Sequence, residues 1–186
     1  MARYTAVLDA CVLVPITLAD TLLRVAEREL YRPLWSERIL GEAIDAVCEI
    51  HPEIGPESIA KRFAAMSETF EDARVEGWEA LESGIVLADL DDRHVVAAAI
   101  RGRADAIITA NIRDYMGGGL DAISIEVVHP DDFLLNQLDL APRTVLDVLR
   151  EQAGHTRNPP PTPVDLIARL ARAGAPKFAD EAARLI

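Results

Sequence analysis

Three aspartates stand where carboxylates at the ends of strands could bind a divalent cation. Asp9 ends an apolar run, Asp92 opens a predicted helix, and Asp114 follows a second apolar run by a few residues. Open parallel sheets bind ligands beyond the carboxyl ends of their strands, so these side chains are candidates for one cluster. Crowded carboxylates repel each other unless a cation neutralises them, and oxygen ligands without His or Cys favour Mg²⁺ or Mn²⁺ over zinc. Taken singly, each aspartate is more typical of a helix cap or a surface charge.

Short apolar runs alternate with amphipathic stretches, and this alternation predicts the elements that position the acids. Predicted strands are Tyr4–Leu8, Val86-Leu87 before Asp92, Asp105–Thr109 and Ser124–Val128. Predicted helices cover Asp20–Leu30 (ended near Pro33), a segment capped by Ser36, a segment with Pro56 in its first turn, and a segment from Asp92 to about Arg101. Alternating β and α segments favour a mostly parallel sheet covered by helices.

From Asp131 onward the pattern is purely helical. Predicted helices are Asp131–Leu138, Pro142–Gly154, and, after a break at Pro159-Pro160-Pro161, one that Thr162 and Asp165 cap and that Gly174 and Pro176 close. We therefore predict a three-layer α/β/α domain with a central, mostly parallel sheet in residues 1–133. Residues 134–186 are predicted to form a helical C-terminal extension.

Composition narrows the class of protein. The net charge of −12 excludes binding of nucleic acid by bulk electrostatics, so any attraction to phosphate would have to come from a bound cation. The chain contains only two cysteines and shows neither a signal peptide nor a long apolar run, which predicts a reduced cytoplasmic protein with no membrane span. A haloacid-dehalogenase-like phosphatase needs an Asp where Cys11 stands. A receiver domain needs a Lys after a late strand, and neither Lys61 nor Lys177 is so placed.

Three segments resemble the motifs of PIN-domain ribonucleases, and they occur in the right order. Val7–Leu13 resembles the opening motif, in which a strand ends in Asp, and Asp92–Ala99 resembles the helix that carries the family's third acid. Asp105–Tyr115 resembles the strand-plus-loop signature, commonly Thr-x-Asn-x-x-Asp-Phe. With its helical extension, the chain is similar to one branch of the VapC-type toxins of toxin–antitoxin pairs.

The resemblance implies a metal-dependent endoribonuclease, the toxin of a bacterial type II toxin–antitoxin pair, that hydrolyses RNA phosphodiester bonds with Mg²⁺ or Mn²⁺. The implied catalytic and metal-binding residues are Asp9, Glu42, Asp92 and Asp114. Glu42 is carried over from the resemblance only, because it falls on the polar side of its predicted helix, where a solvated face explains it equally well.

The fourth acidic position could be Asn111 or Asp114, and we take Asp114 with Asn111 assisting. Thr109 and Asn111 are the candidate substrate-binding residues, although Thr109 could equally just finish its strand. Many relatives have Asp-x-Asn near the start, whereas this chain has Asp9-Ala10-Cys11. The thiol is a weaker polar group than the amide it replaces. The alternative function is therefore a catalytically weak or inactive PIN-like module that binds a partner protein or nucleic acid.

The expected partners follow from the same resemblance. They are an RNA substrate and an antitoxin that inserts a basic residue, best an Arg, into the acidic pocket beside Asp9 and Asp92. A homodimer is also expected. The stripe Ile59, Phe63, Met66 and Phe70 is a candidate contact, although burial within one subunit is the simpler account of it.

Overall fold

A four-stranded parallel sheet forms the centre of the protein, for which the computed structural model describes residues 3–116, 123–155 and 162–186. The strands lie in the order β2-β1-β3-β4 and are Thr5–Leu8 (β1), Arg32–Leu34 (β2), Ala106–Ile108 (β3) and Glu126–Val128 (β4). Val7 pairs with Leu34 on one side and with Ile107 on the other. Every residue of β1 and β3 is buried, as in a parallel sheet covered on both faces.

Helices flank the sheet and continue beyond it, which confirms the predicted α/β/α class. Within the described residues they are Ala10–Leu13 (α1), Ile16–Glu27 (α2), Glu37–Ile50 (α3), Pro56–Thr69 (α4), Glu79–Glu82 (α5), Arg93–Gly102 (α6), Pro130–Leu140 (α7), Pro142–His155 (α8), Pro163–Arg172 (α9) and Pro176–Leu185 (α10). Short 3-10 helices occupy Glu71–Ala73 and Ile112–Tyr115. No helix in the described ranges is long and apolar enough to cross a membrane.

Three of the predicted helix starts are confirmed. The Ser36 hydroxyl accepts a hydrogen bond from the Ile39 amide at 3.2 Å, and Pro56 is the first residue of α4. Thr162 and Asp165 form the complete capping box at the start of α9.

Several boundaries differ from the prediction. Arg32–Leu34 forms strand β2, although Pro33 was expected to end a helix. Proline is tolerated there because β2 is the outermost of the four named strands, where the missing N–H breaks no pairing with a named strand. Val86-Leu87 does not form a strand, so Asp92 follows a loop. Helix α2 begins at Ile16 instead of Asp20, and α10 was not predicted as a separate helix.

Helix α6 ends in close contact with β2. A Cβ atom at Gly102 would lie 2.5 Å from Leu34 Cδ1 and 3.1 Å from Val75 Cγ2, so any larger residue here would force the Leu34 side chain to move. Arg103 then ends the helix in the left-handed region, with φ of 53°. This contact fixes the far end of the helix whose first turn follows Asp92.

Asp131 attaches the C-terminal helices to the rest of the chain. Its buried carboxylate accepts hydrogen bonds from the backbone amides of Lys177 (3.1 Å) and Phe178 (2.8 Å), which caps α10. The Thr21 hydroxyl also donates to Gln152 Oε1 at 2.7 Å, joining α2 to α8. The border expected between residues 133 and 134 remains a prediction, and α7 runs across it.

The apolar stripe on α4 is used inside the chain. Ile59, Phe63 and Met66 are buried, and Phe70 packs edge-on against Trp35 with ring centroids 5.9 Å apart. These side chains therefore belong to the core of one subunit. The glycines at 117–119 and the prolines at 159–161, expected in a loop and a helix break, lie outside the described residues.

Candidate functional site

Asp9 lies where β1 ends and α1 begins, in the middle of the sheet. Its backbone amide donates to the Ile108 carbonyl at 3.1 Å, which extends the pairing of β1 with β3 by one residue. The side chain is only 6% exposed, and its Oδ1 accepts a hydrogen bond from the Ala10 amide at 2.7 Å. The strand pairing and the helix cap together fix the position of this carboxylate.

The second oxygen of Asp9 accepts hydrogen bonds from three side chains. Thr109 Oγ1 donates to Oδ2 at 2.7 Å, and Cys11 Sγ and Tyr115 OH each donate to it at 3.3 Å. Cys11 Sγ also accepts from the Ala110 amide at 3.3 Å, which ties α1 to the loop after β3. The thiol therefore both donates and accepts, as a side-chain amide could.

Burial dominates the ionisation of these two donors. Burial, followed by the charge of Asp9, raises the pKa of the Cys11 thiol to about 12, so the thiol keeps its proton at neutral pH. Burial and then the charges of Asp9 and Asp92 raise the pKa of the Tyr115 hydroxyl as well. Both groups therefore act as donors to Asp9.

The ionisation of Asp92 is affected by the other acids of the site. Burial, then the charges of Asp9, Asp89 and Asp114, raise its pKa from 3.8 to about 6, and His94 opposes this shift. The Asp89 amide donates to the Asp114 carbonyl at 3.4 Å, so the loop before α6 lies against the 3-10 helix. The structure thus brings Asp9, Asp92 and Asp114 together and adds Asp89 to them.

Glu42 lies on α3 and has partners of its own. Its Oε1 is 3.1 Å from both Arg38 Nε and His94 Nε2. Burial by itself raises the pKa of Glu42, but the hydrogen bonds and charges of His94 and Arg38 outweigh burial, and the net shift is downward. His94 is 1% exposed and packs beside Trp78, with ring centroids 5.9 Å apart. Glu42 is therefore linked to the aspartates through His94, which also opposes the upward shift of the Asp92 pKa.

The two predicted substrate-binding residues differ in accessibility. Thr109 is fully buried, and its hydroxyl donates to Asp9 and accepts from the Asn111 amide at 3.0 Å. Asn111 is exposed, and its side-chain amide has no hydrogen bond within the described part of the chain. In this arrangement Thr109 supports Asp9, and Asn111 is the one that can reach a ligand.

The donor chemistry of the site suits a hard divalent cation. The neighbouring ligand groups are carboxylates, and their charges add to burial in raising the pKa of Asp92. However, in residues 3–116, 123–155 and 162–186 no three His, Cys, Asp or Glu side chains are arranged to hold a metal ion. The residue types therefore fit a hard divalent cation, but their side chains are not close enough together to coordinate one as they stand.

Sequence reasoning missed three contributors. Asp89 lies in the acidic run before α6, and its nearness to Asp92 depends on a loop with no periodic signal. Tyr115 stands where the strand-plus-loop signature commonly has Phe, so its hydroxyl is a signal that the sequence shows. His94 lies two residues after Asp92, but its role is ambiguous from the sequence alone. Only the fold shows that Tyr115 contacts Asp9 and that His94 contacts Glu42.

Comparison with known proteins agrees with this geometry. The PIN domain family matches residues 5–113, and the VapC50 C-terminal domain matches residues 130–184. The protein named "Putative ribonuclease VapC50" of Mycobacterium tuberculosis (strain ATCC 25618 / H37Rv) is 42% identical over 94 residues. That alignment covers 50% of this chain and 55% of the relative, so it spans about half of each. No solved structure matches the chain.

The family match covers β1, β2 and β3 and the segments that hold Asp9, Glu42, Asp92 and the start of the 3-10 helix, whereas Asp114 and β4 lie beyond it. It agrees with a parallel sheet flanked by helices, with acids gathered beyond the ends of β1 and β3. The helices after β4 correspond to the second matched region. The chain therefore belongs to the PIN domain family.

Proposed function

We propose that this protein is a metal-dependent endoribonuclease, the toxin of a VapC-type toxin–antitoxin pair. The observation that supports this most is the nearness of Asp9, Asp89 and Asp114 to Asp92: burial raises the pKa of Asp92, and the charges of these three acids raise it further. Repulsion between neighbouring carboxylates is what a bound cation relieves. The 42% identity to a relative whose printed name calls it a ribonuclease supports the same reaction class.

Asp9, Asp92 and Asp114 would hold the metal. When bound there, Mg²⁺ or Mn²⁺ neutralises charge on the phosphodiester and lowers the pKa of a bound water. Asp9 would use Oδ1, because Oδ2 already accepts three side-chain hydrogen bonds. Arg38 and His94 both engage Glu42 Oε1, so we assign Glu42 to proton transfer or to a water-mediated contact.

RNA is the proposed substrate, and Asn111 is the proposed contact to it. The exposed Asn111 amide lies between Thr109, which supports Asp9, and the 3-10 helix that carries Asp114. An amide can both donate to phosphate oxygens and read a base edge. The acidic surface elsewhere makes this local contact and the bound cation the main attractions for RNA.

An antitoxin is the proposed protein partner. A basic side chain, best an Arg, would pair with Asp9 and Asp92 and take the place of the metal. Leu90 and Met116, which are 57% and 61% exposed, flank the acids in sequence and would contact apolar side chains of the same antitoxin segment.

The homodimer also remains part of the proposal. The core position of Ile59, Phe63 and Met66 moves its interface away from the α4 stripe.

An RNA-cleavage assay with and without Mg²⁺ or Mn²⁺ tests the proposed reaction. Asp92→Asn should abolish metal-dependent cleavage, and Asp9→Asn should do the same while leaving the circular dichroism spectrum unchanged. Asp91→Asn is the matched control, because Asp91 is exposed and its charge is not among those that raise the pKa of Asp92. RNA that the wild type binds but does not cut at any metal concentration would instead identify a PIN-like binding module.

A further inference from the structure

The acceptor capacity of Asp9 Oδ2 is exceeded by its donors. A carboxylate oxygen offers about two lone-pair sites, yet three side chains donate to this one. Thr109 makes the shortest contact at 2.7 Å, while Cys11 and Tyr115 both stand at 3.3 Å. With Thr109 in place, only one further donor is needed.

The two longer contacts come from different parts of the chain. Cys11 lies on α1, two residues after Asp9, whereas Tyr115 lies on the 3-10 helix 106 residues later. Tyr115 is 3% exposed and Asp9 is 6% exposed, so bulk water cannot readily replace a missing donor. Either donor can therefore satisfy Asp9 Oδ2 when the other is removed.

We propose that Cys11 and Tyr115 are a redundant pair of positioning residues for Asp9. Either one, together with Thr109, fills Oδ2 and leaves the remaining acceptor site of Oδ1 for a cation. The idea rests on the proposed function for the role of that cation. It also explains how a weak thiol donor can stand beside the central acid, since the Tyr115 hydroxyl supplies the same hydrogen bond.

Four variants test the redundancy: Cys11→Ala, Tyr115→Phe, the double variant Cys11→Ala/Tyr115→Phe, and the rescue variant Cys11→Ser/Tyr115→Phe. Mn²⁺ affinity is measured by electron paramagnetic resonance, and kcat and KM by RNA cleavage at saturating Mn²⁺. Each single variant should bind Mn²⁺ within about threefold of the wild type. The double variant should lose about tenfold or more, as is usual when a hydrogen bond to a metal ligand is removed. The KM for RNA should not change.

The rescue variant is the decisive arm. Serine restores a donor at position 11 without restoring the Tyr115 hydroxyl, so Mn²⁺ affinity should return to within about threefold of the wild type. Tyr31→Phe is the control for loss of a buried hydroxyl, because Tyr31 donates to the Leu22 carbonyl instead. A double variant that loses only the product of the two single losses, or a serine variant that does not recover, would overturn the redundancy.

The same set of variants is unfolded with urea in the absence of metal. The drop in midpoint for the double variant should exceed the sum of the two single drops, and serine should restore it. This arm needs neither metal nor RNA. If the wild type binds no Mn²⁺ and cuts no RNA, the proposed function fails, while additive urea midpoints would contradict the redundant pair itself.

Discussion

Replacing Asp92 by Asn should stabilise the metal-free protein at neutral pH. Burial and the charges of Asp9, Asp89 and Asp114 raise the pKa of Asp92 from 3.8 to about 6, so its ionised form is disfavoured in the folded state. At about 1.4 kcal/mol per pH unit, this shift corresponds to an upper limit of about 3 kcal/mol. Solvent screening of a partly exposed carboxylate reduces the expected gain in Asp92→Asn to about 1–2 kcal/mol at pH 7.

The pH dependence of the unfolding free energy provides a second test of this expectation. Because the folded-state pKa lies above the unfolded one, the folded protein binds the proton more tightly, and the contribution of Asp92 becomes more favourable as the pH falls from 7 toward 4. The difference in unfolding free energy between the wild type and Asp92→Asn should therefore shrink over that range.

Urea unfolding of EDTA-treated protein between pH 4 and 7.5 is the assay, with Asp91→Asn as the control. The control should track the wild type, because the exposed Asp91 is not among the charges acting on Asp92. An Asp92→Asn protein that is less stable than the wild type at pH 7, or a difference that does not vary with pH, would refute the electrostatic account of the cluster.

Three further changes test packing, capping and the thiol. Gly102→Ala should cost about 1–3 kcal/mol in urea because its Cβ would overlap Leu34, whereas Gly41→Ala, with open space around it, should gain about 0.5–1 kcal/mol. Asp131→Ala should lose roughly 1–2 kcal/mol with the cap of α10, and Asp132→Ala, which removes an exposed ion pair, less than about 1 kcal/mol. Cys11→Asn should keep the fold and cut RNA at least as fast as the wild type, since an amide can donate to Asp9 and accept from the Ala110 amide as the thiol does. A large loss of cleavage would show a specific need for sulfur.

The sequence predicted the central strands well because their signal is local. Ala6–Leu8 and Ala106–Ile108 are continuous apolar runs, which is the pattern of strands buried on both faces. Strand β2 was not predicted because it includes Pro33, which in isolation indicates a break. Its strand conformation comes from pairing with β1, a contact that no local pattern encodes.

The site was partly predictable for the same reason. Asp9 and Asp92 could be chosen from motifs at the ends of elements, and the structure places their charges close together. The contact of Glu42 with Arg38 follows from their spacing of one helical turn, but its contact with His94 could not be found this way, because His94 lies on another helix. The role of Thr109 likewise depends on the pairing of β1 with β3, which turns its hydroxyl into a donor to Asp9.

The carboxylate of Asp131 ties the last helix to the region just after the sheet. If α10 were removed, Asp131 would lose both backbone donors, and the side chains that Phe178, Ala179 and Ala182 now cover would face water. A shortened chain that keeps the α/β region but omits the last helix should therefore expose apolar surface and aggregate. For protein engineering, the practical unit to transplant or fuse is the sheet together with all the helices that follow it.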